Sequence, residues 1–511
     1  MRVLKTVLGL KTALQENQGQ TVALVPTMGA LHSGHLSLIA RAKAENDLVV
    51  VSIFVNPLQF GQGEDYQKYP RPIEQDIDLC QAFGVDILFA PSIEAMAINQ
   101  GQQQSLVVPP EHLVANLCGP FRPGHFAGVT TIVCKLFNIV QPNVAYFGEK
   151  DFQQLVILKK MVEDLKMPVI IKGCPTVQDP RGLALSSRNV YLNEQQKAQA
   201  SGINASLVLA KEAFSTGERK SSPLLTIVKQ SLVQRSPEFK LQYLELVDPN
   251  NLKQLEIIED AGVIAIAGYF GSTRLIDNIL LNAQKPILTI DGPAGSGKST
   301  VTRKLAKELG LLYLDTGAMY RAAAWLIKSQ AIALEDHVAI AEVISSMQLE
   351  LLPCDSSQYS CEVYLNQQRI TEQIRSLEVT SLVSQIAAIA PVRTVLVKLQ
   401  KELGKKGGLI AEGRDMGTEV FPQASLKIFL TASVAERARR RFKDLQNQGI
   451  EKISLEELIQ QIAQRDHQDS TRKISPLRKA QDAIEIITDD LNLDQVCVNI
   501  VDLYLNKINQ K

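Results

Sequence analysis

Pro26-Thr27-Met28-Gly29-Ala30-Leu31-His32-Ser33-Gly34-His35, and far downstream Gly292-Pro293-Ala294-Gly295-Ser296-Gly297-Lys298-Ser299, decide how this chain is read. The first is a His-x-Gly-His turn passing from a strand into a helix. The second is a complete P-loop, glycine-rich with a terminal Lys-Ser. No single site needs both. The chain therefore reads as two enzymes fused end to end, each holding its own nucleoside triphosphate and cutting it at a different phosphorus.

The sequence around these turns supports a parallel sheet in the first half and a second strand-to-helix start beyond it. Thr21–Pro26 and Leu48–Val55 are short Val-rich strands with a helix beginning near His35 between them. Asp86–Ala90 and Val144–Phe147 are further strands, separated by helical patterns at Ile73–Phe83 and Val129–Val140. Such alternation argues for a parallel sheet covered on both faces. A second start comes at Pro286–Ile290, a buried strand feeding the P-loop, with Leu280–Lys285 too short and apolar for a long tether. The fusion point falls there.

Composition sets the class. A chain of 511 residues exceeds one hydrophobic core, and about two to four domains are expected. Apolar residues make up 45% and charged residues 21%, ordinary for a globular protein. Lys+Arg and Asp+Glu balance at 54 each, which gives no pull toward nucleic acid or an anionic membrane. The seven cysteines contain no Cys-x-x-Cys and read as free thiols of a reducing cytoplasm. No apolar run approaches the ~20 residues of a membrane span.

In the first half, a helix start offers unpaired N–H groups to phosphate, and Gly29 and Gly34 permit close approach. His32 and His35 are read as sharing one helical face and donating to phosphate oxygens. Phe147-Gly148-Glu149-Lys150-Asp151-Phe152-Gln153-Gln154 ends a strand and opens a helix, where ligands of a parallel sheet collect. Alone, it also fits a capped helix with Asp151 in its first turn. Leu185-Ser186-Ser187-Arg188-Asn189 suits a polyphosphate. Together with Val55–Phe60, Tyr69-Pro70-Arg71, Arg122–Phe126 and Thr273–Asn278, these blocks resemble the pantothenate synthetases (pantoate–β-alanine ligases) over roughly residues 1–282. The resemblance implies a Rossmann-like nucleotidyltransferase domain (1–180), a small α+β carboxy-terminal subdomain (181–282) and a homodimer formed through this half. It implies Mg-ATP and pantoate giving a pantoyl adenylate, then β-alanine displacing AMP. His32, His35, Lys150, Ser187 and Arg188 would balance the leaving pyrophosphate. Gln59 and Gln154 would hold pantoate beside Met28, and Gly148 and Asp151 would meet the ribose, with Ser186 also on ATP. Gly61–Tyr69 is a candidate lid, and no dedicated general base stands out.

In the second half, Gly292, Gly295, Ser296, Gly297 and Thr300 form the phosphate cradle, Lys298 reaches the β/γ oxygens and the Ser299 hydroxyl suits Mg²⁺. Asp315–Arg321, Gly413-Arg414-Asp415-Met416-Gly417-Thr418, the arginines 437 and 439–441, and Arg465–Arg472 follow in order. With a P-loop present and no aromatic platform, the arginine run reads as a phosphate-closing lid. This half resembles the cytidylate kinases over roughly 285–511, a P-loop nucleoside monophosphate kinase (domain 283–511) with an acceptor insertion near 345–390 and a lid near 436–472. The resemblance implies that Arg321, Arg414 and Arg472 clamp the phosphate of CMP or dCMP. Arg465 and Asp469 would hold its sugar, Ser384, Arg393 and Asp415 would read cytosine, Thr316 would line the acceptor site, and Arg440 would serve ATP.

Two other readings stay open at this point. The first half could stop at pyrophosphate release without forming an amide, or one half could only sense nucleotide for the other. Kinases of uridylate, shikimate or deoxynucleosides share the P-loop.

Overall fold

The computed structural model describes residues 1–509 apart from 62, 99–103, 284, 355–358, 360, 448–453 and 473. It divides into two compact units, Met1–Ala283 and Gln284–Lys511. Parts of the sequence-predicted lids and acceptor insertion fall on 62, 448–453, 355–358 and 360 and lie outside the described residues.

The first unit is built on six parallel strands, β1 (Arg2–Leu4), β2 (Val22–Thr27), β3 (Leu48–Ile53), β4 (Ile87–Phe89), β5 (Val144–Gly148) and β6 (Ile170–Cys174), in the order β1-β4-β3-β2-β5-β6. Successive side chains of a strand point to opposite faces, so each strand feeds two cores. Leu24 and Val50 pack under Val129, Ile132, Val133 and Leu136 of the helix His125–Val140, whose i, i+3, i+4, i+7 spacing makes one apolar stripe. Ala23, Val25, Val49 and Val51 face Leu38, Ile39 and Ala42 of the helix Ser33–Glu45 instead. Because β2 has β3 on one side and β5 on the other, the strand order reverses between β2 and β5. In such sheets the ligand crevice opens outside the carboxyl ends of the strands at that reversal.

The rest of the unit is an antiparallel sheet of β7 (Lys240–Val247), β8 (Ala261–Phe270) and β9 (Thr273–Asn282), packed against the helices Glu194–Ser215 and Ser221–Arg235. The strand β9 continues to within one residue of the unit boundary.

The second unit holds five parallel strands, β10 (Leu288–Asp291), β11 (Leu312–Asp315), β15 (Leu409–Gly413), β16 (Leu426–Thr431) and β17 (Ile484–Ile487), in the order β11-β15-β10-β16-β17. Leu288 and Ile290 bury against Val301 and Leu305 of the helix Lys298–Leu309. Leu314 and Ala411 face the helices Thr316–Ser329 and Ala390–Gly404. The alternating stretch after residue 348 forms a separate antiparallel sheet of β12 (Leu349–Pro353), β13 (Cys361–Leu365) and β14 (Gln368–Arg369). Among the described residues, no single helix is long and apolar enough to cross a membrane.

One close approach ties the fold to its crevice. A Cβ on Gly128 would sit 2.2 Å from the Leu58 carbonyl oxygen and 2.7 Å from the Gln59 nitrogen. The helix His125–Val140 therefore presses directly on the turn that carries Gln59. Gly128→Ala should cost about 1–3 kcal/mol of unfolding free energy in the first unit, read from urea titration. A wild-type midpoint would contradict this contact.

Candidate active sites

The first cavity, about 240 Å³, lies outside the ends of β2 and β5. It is lined by Met28, His32, His35, Gln59, Gly148, Lys150, Asp151, Gln154, Ser186, Ser187 and Arg188, the whole ligase set read from the sequence. The turn after β2 reaches this position because Asp76, which is buried, accepts from the backbone N–H groups of Ala30 (2.9 Å) and Leu31 (2.7 Å). Gly29 adopts φ +82°, a conformation open to glycine, and a Cβ there would sit 2.9 Å from the Asp76 carboxylate.

The two histidines are arranged differently from the sequence reading. They do not share a helical face. His32 caps the helix from an extended conformation and His35 is its third residue, with ring centroids 4.1 Å apart. The Gly34 N–H donates to His32 Nδ1 (3.1 Å) and the His32 N–H donates to His35 Nδ1 (3.4 Å). With both Nδ1 atoms accepting, each neutral ring carries its proton on Nε2. Burial, reinforced by neighbouring positive charge, lowers His32 to about 4 and His35 to about 3. Both are therefore neutral donors, like the N–H groups beside them. Lys150 and Arg188 bring the positive charge.

Arg188 is held by the carboxylate of Asp65 at 2.7 and 2.9 Å, and Arg122 by Glu64 at 2.7 and 2.7 Å. The segment expected as a lid thus carries two acids that hold the site's guanidinium groups. Gln59 donates to the Met28 sulfur (2.7 Å), placing two sequence-predicted residues side by side. Asp151 precedes the helix Phe152–Asp164 without a side-chain cap bond, so the capped-helix alternative does not describe it and its carboxylate faces the cavity. Several supporting residues carried no local sequence signal of their role. Asp76 reads as an ordinary acid in a helix's first turn. Tyr69 meets Ser187 (OH to Oγ, 3.0 Å), and Asn278 donates to the carbonyls of Glu149 and Lys150, both at 3.0 Å.

The second cavity, about 870 Å³, sits over the P-loop. Gly295, Gly297, Lys298, Ser299, Thr300, Thr316, Arg321, Ser384, Arg393, Arg414, Asp415, Arg440, Arg465, Asp469 and Arg472 all line it. Gly292 and Ser296 stand behind the loop. A Cβ on Gly292 would lie 2.0 Å from the Leu430 carbonyl oxygen, and Ser296 Oγ donates to the Pro293 carbonyl (3.0 Å). Lys298 Nζ donates to that same carbonyl at 2.6 Å. Burial, then the charge of Arg414, pulls its pKa down.

Acidic side chains offset most of the cations. Arg414 pairs with Asp469 (2.9 Å), Arg437 with Asp466 (2.5 Å), and the buried Arg393 with the buried Asp415. Arg440 is held by Glu436 (2.8 Å) and by the Thr488 carbonyl (2.6 Å). Arg439 pairs with Glu436 away from the cavity, so only part of the arginine run faces it. Glu412, at the end of β15, was not picked out from the sequence. Its Oε1 accepts from Ser299 (2.8 Å) and Tyr313 (2.7 Å), while its buried Oε2 has no partner.

The histidine assignment has a pH consequence. Unfolded, both imidazoles return to an ordinary value near 6.5, while the folded site resists protonation down to about 4 and about 3. Across that window the unfolded chain binds more protons, so stability rises with pH and is lost on acidification. Replacing either histidine by Gln should flatten the dependence of the first unit's unfolding free energy on pH below neutrality, by up to about 1.4 kcal/mol per pH unit. Urea titrations at several pH values read this, and an unchanged slope contradicts neutral imidazoles.

Comparison with known proteins finds a family match in each half of the chain. The pantoate-beta-alanine ligase family profile matches residues 2–280 and the cytidylate kinase profile matches residues 288–506. A bifunctional pantoate ligase/cytidylate kinase of Nostoc sp. is 54% identical over 96% of this chain and 92% of its own length. One from Synechocystis sp. is 52% identical over 99% of both. The crystal structure of a pantothenate synthetase from Thermus thermophilus is similar at 45% identity and TM-score 0.52, covering 55% of this chain and 99% of that one. This chain belongs to the bifunctional pantoate ligase/cytidylate kinase family, the ligase preceding the kinase.

Proposed function

We propose that the first unit condenses pantoate with β-alanine through a pantoyl adenylate, and that the second transfers the ATP γ-phosphoryl group to CMP or dCMP. The observation that carries this reading is two separately built cavities, one beside the neutral histidine turn and one over a P-loop. In the ligase cavity the pantoate carboxylate, held by Gln59 and Gln154, attacks the α-phosphorus. The Nε2–H donors of His32 and His35 receive the departing pyrophosphate, with Lys150, Ser186, Ser187 and Arg188. Gly148 and Asp151 hold the ribose. A β-alanine amine then attacks the activated carbonyl and AMP leaves.

In the kinase cavity, Arg321, Arg414 and Arg472 hold the acceptor phosphate. It is already ionised, so positioning and positive charge carry the transfer. Arg465 and Asp469 hold the sugar, with Thr316 nearby, and Arg440 approaches ATP. Ser384, Arg393 and Asp415 read the base: the cytosine amine donates to a carboxylate, and its acceptors suit Arg and Ser.

Residues beside Ser299 fit Mg²⁺. The unpartnered Oε2 of buried Glu412 lies next to Ser299, and a hard cation takes oxygen ligands. When bound, the ion would offset charge on the phosphate oxygens. The resemblance of the first unit supports a homodimer formed through it. The seven cysteines, with no Cys-x-x-Cys among them, are consistent with a reducing cytoplasm.

Lys298→Met should lower CDP formation about 10²–10³-fold and leave pantothenate formation intact, and His35→Ala should do the reverse. Product assays for AMP plus pyrophosphate and for ADP plus CDP decide this. Silencing of both reactions by one change in a folded protein contradicts separate sites. Asp415→Asn should narrow the preference for CMP over UMP by about tenfold. Unchanged relative rates would remove Asp415 from base reading.

A further inference from the structure

A second cavity of about 490 Å³ opens beside the ligase nucleotide cavity in the first unit. The two share Lys150, Asp151, Gln154, Ser186 and Arg188 as a common wall, while β9 lines the larger one through Arg274 and Asp277. A reactant in the larger cavity therefore faces the place where the acyl phosphate forms. The strand β9 is pinned there, because Asn278 donates to the carbonyls of Glu149 and Lys150 at 3.0 Å each.

The second half-reaction poses a proton problem. The amine of β-alanine, like that of lysine, carries a proton at neutral pH, and an ammonium has no lone pair with which to attack. The groups around the cavity are mostly committed. Glu64 and Asp65 pair with Arg122 and Arg188. His32 and His35 accept backbone N–H groups at Nδ1. His125 is engaged at both ring nitrogens, by the Gln59 carbonyl (2.7 Å) and Arg122 (2.9 Å). Tyr243 is buried against Cys118. Asp151 is exposed and assigned to the ribose.

Asp277 differs. It is 5% exposed, and among the described residues its one side-chain hydrogen bond comes from the Asn278 N–H at 2.9 Å. Lys150 is the cation near it, with no direct ion pair. Burial raises it to about 6, close to neutrality, where a general base is most effective. On the same cavity wall Arg274, among the described residues, bonds to Gln242 (2.9 Å) and the Cys118 sulfur (3.4 Å) and makes no ion pair, which leaves its charge for a carboxylate.

We propose that Asp277 accepts the proton that β-alanine's ammonium must lose before it attacks the pantoyl adenylate, with Arg274 facing the β-alanine carboxylate. The inference rests on the ligase reading above. One N–H bond of the ammonium breaks and its proton goes to the Asp277 carboxylate. The freed lone pair forms the bond to the acyl carbon, and the acyl C–O bond to phosphate breaks, its electron pair leaving with AMP. The nitrogen's second proton and that on Asp277 pass to solvent through the open cavity.

Full-length Asp277→Asn tests it. Pantoate-dependent exchange of pyrophosphate into ATP should stay within about threefold of wild type, while amide formation falls about 10²-fold or more. Wild-type amide formation should decline on acidification through about pH 6 as Asp277 protonates, and that limb should vanish in the variant. Hydroxylamine, uncharged at neutral pH, should bypass the lesion and form the hydroxamate at a near wild-type rate. Asp277→Glu should recover part of the β-alanine reaction. Parallel loss of exchange and amide formation in both variants makes Asp277 structural and overturns the proposal. So does equal loss with hydroxylamine, or an unchanged rate with β-alanine. Absence of exchange in the wild-type enzyme would instead sink the ligase reading.

Discussion

A sharp turn from strand into helix, placed past the carboxyl ends of parallel strands, is the constraint from which both sites follow. Each cradle needs a chain that turns sharply from strand to helix, and glycine makes the turn possible. Gly29 has φ +82° after β2, and Gly292, Gly295 and Gly297 have φ +150°, +78° and +87° after β10. Side chains add to a phosphate site that the backbone has already begun. This is why both cavities open at the carboxyl edge of a sheet although their motifs share no residues.

Charge is arranged around these cradles with care. Arg188, Arg122, Arg414, Arg437 and Arg393 all lean on carboxylates of the same unit. Burying an unpaired guanidinium would be costly, and an acid held nearby keeps it both charged and placed. A substrate phosphate or carboxylate that met one of these arginines would have to exchange with that acid, and its net binding would be smaller than the count of cations implies. The histidine turn takes the other route. Neutral imidazoles polarised by backbone N–H groups add directed donors without adding buried charge.

Local chemistry was legible in the sequence. The P-loop, the His-x-Gly-His turn and the Gly148–Gln154 block each carry their meaning within about ten residues, because glycine placement and strand-to-helix change are local properties. Strand edges were read to within a residue or two for the same reason: Val-rich runs such as Leu48–Ile53 are buried on both faces. What escaped is long-range. Asp76 supports a turn 45 residues away, Asn278 holds carbonyls 128 and 129 residues away, and Glu412 meets Ser299 across 113. Nothing in the neighbours of these residues betrays the partner. The protonation of His32 and His35 was missed on similar grounds, since burial depends on the whole fold.

Nucleotide stoichiometry tests the account most directly. Calorimetric titration of the intact chain with a non-hydrolysable ATP analogue should resolve two molecules bound per chain, one displaced by Lys298→Met and the other unaffected. A single binding event, abolished entirely by that one substitution in a folded protein, would contradict two independent phosphate cradles.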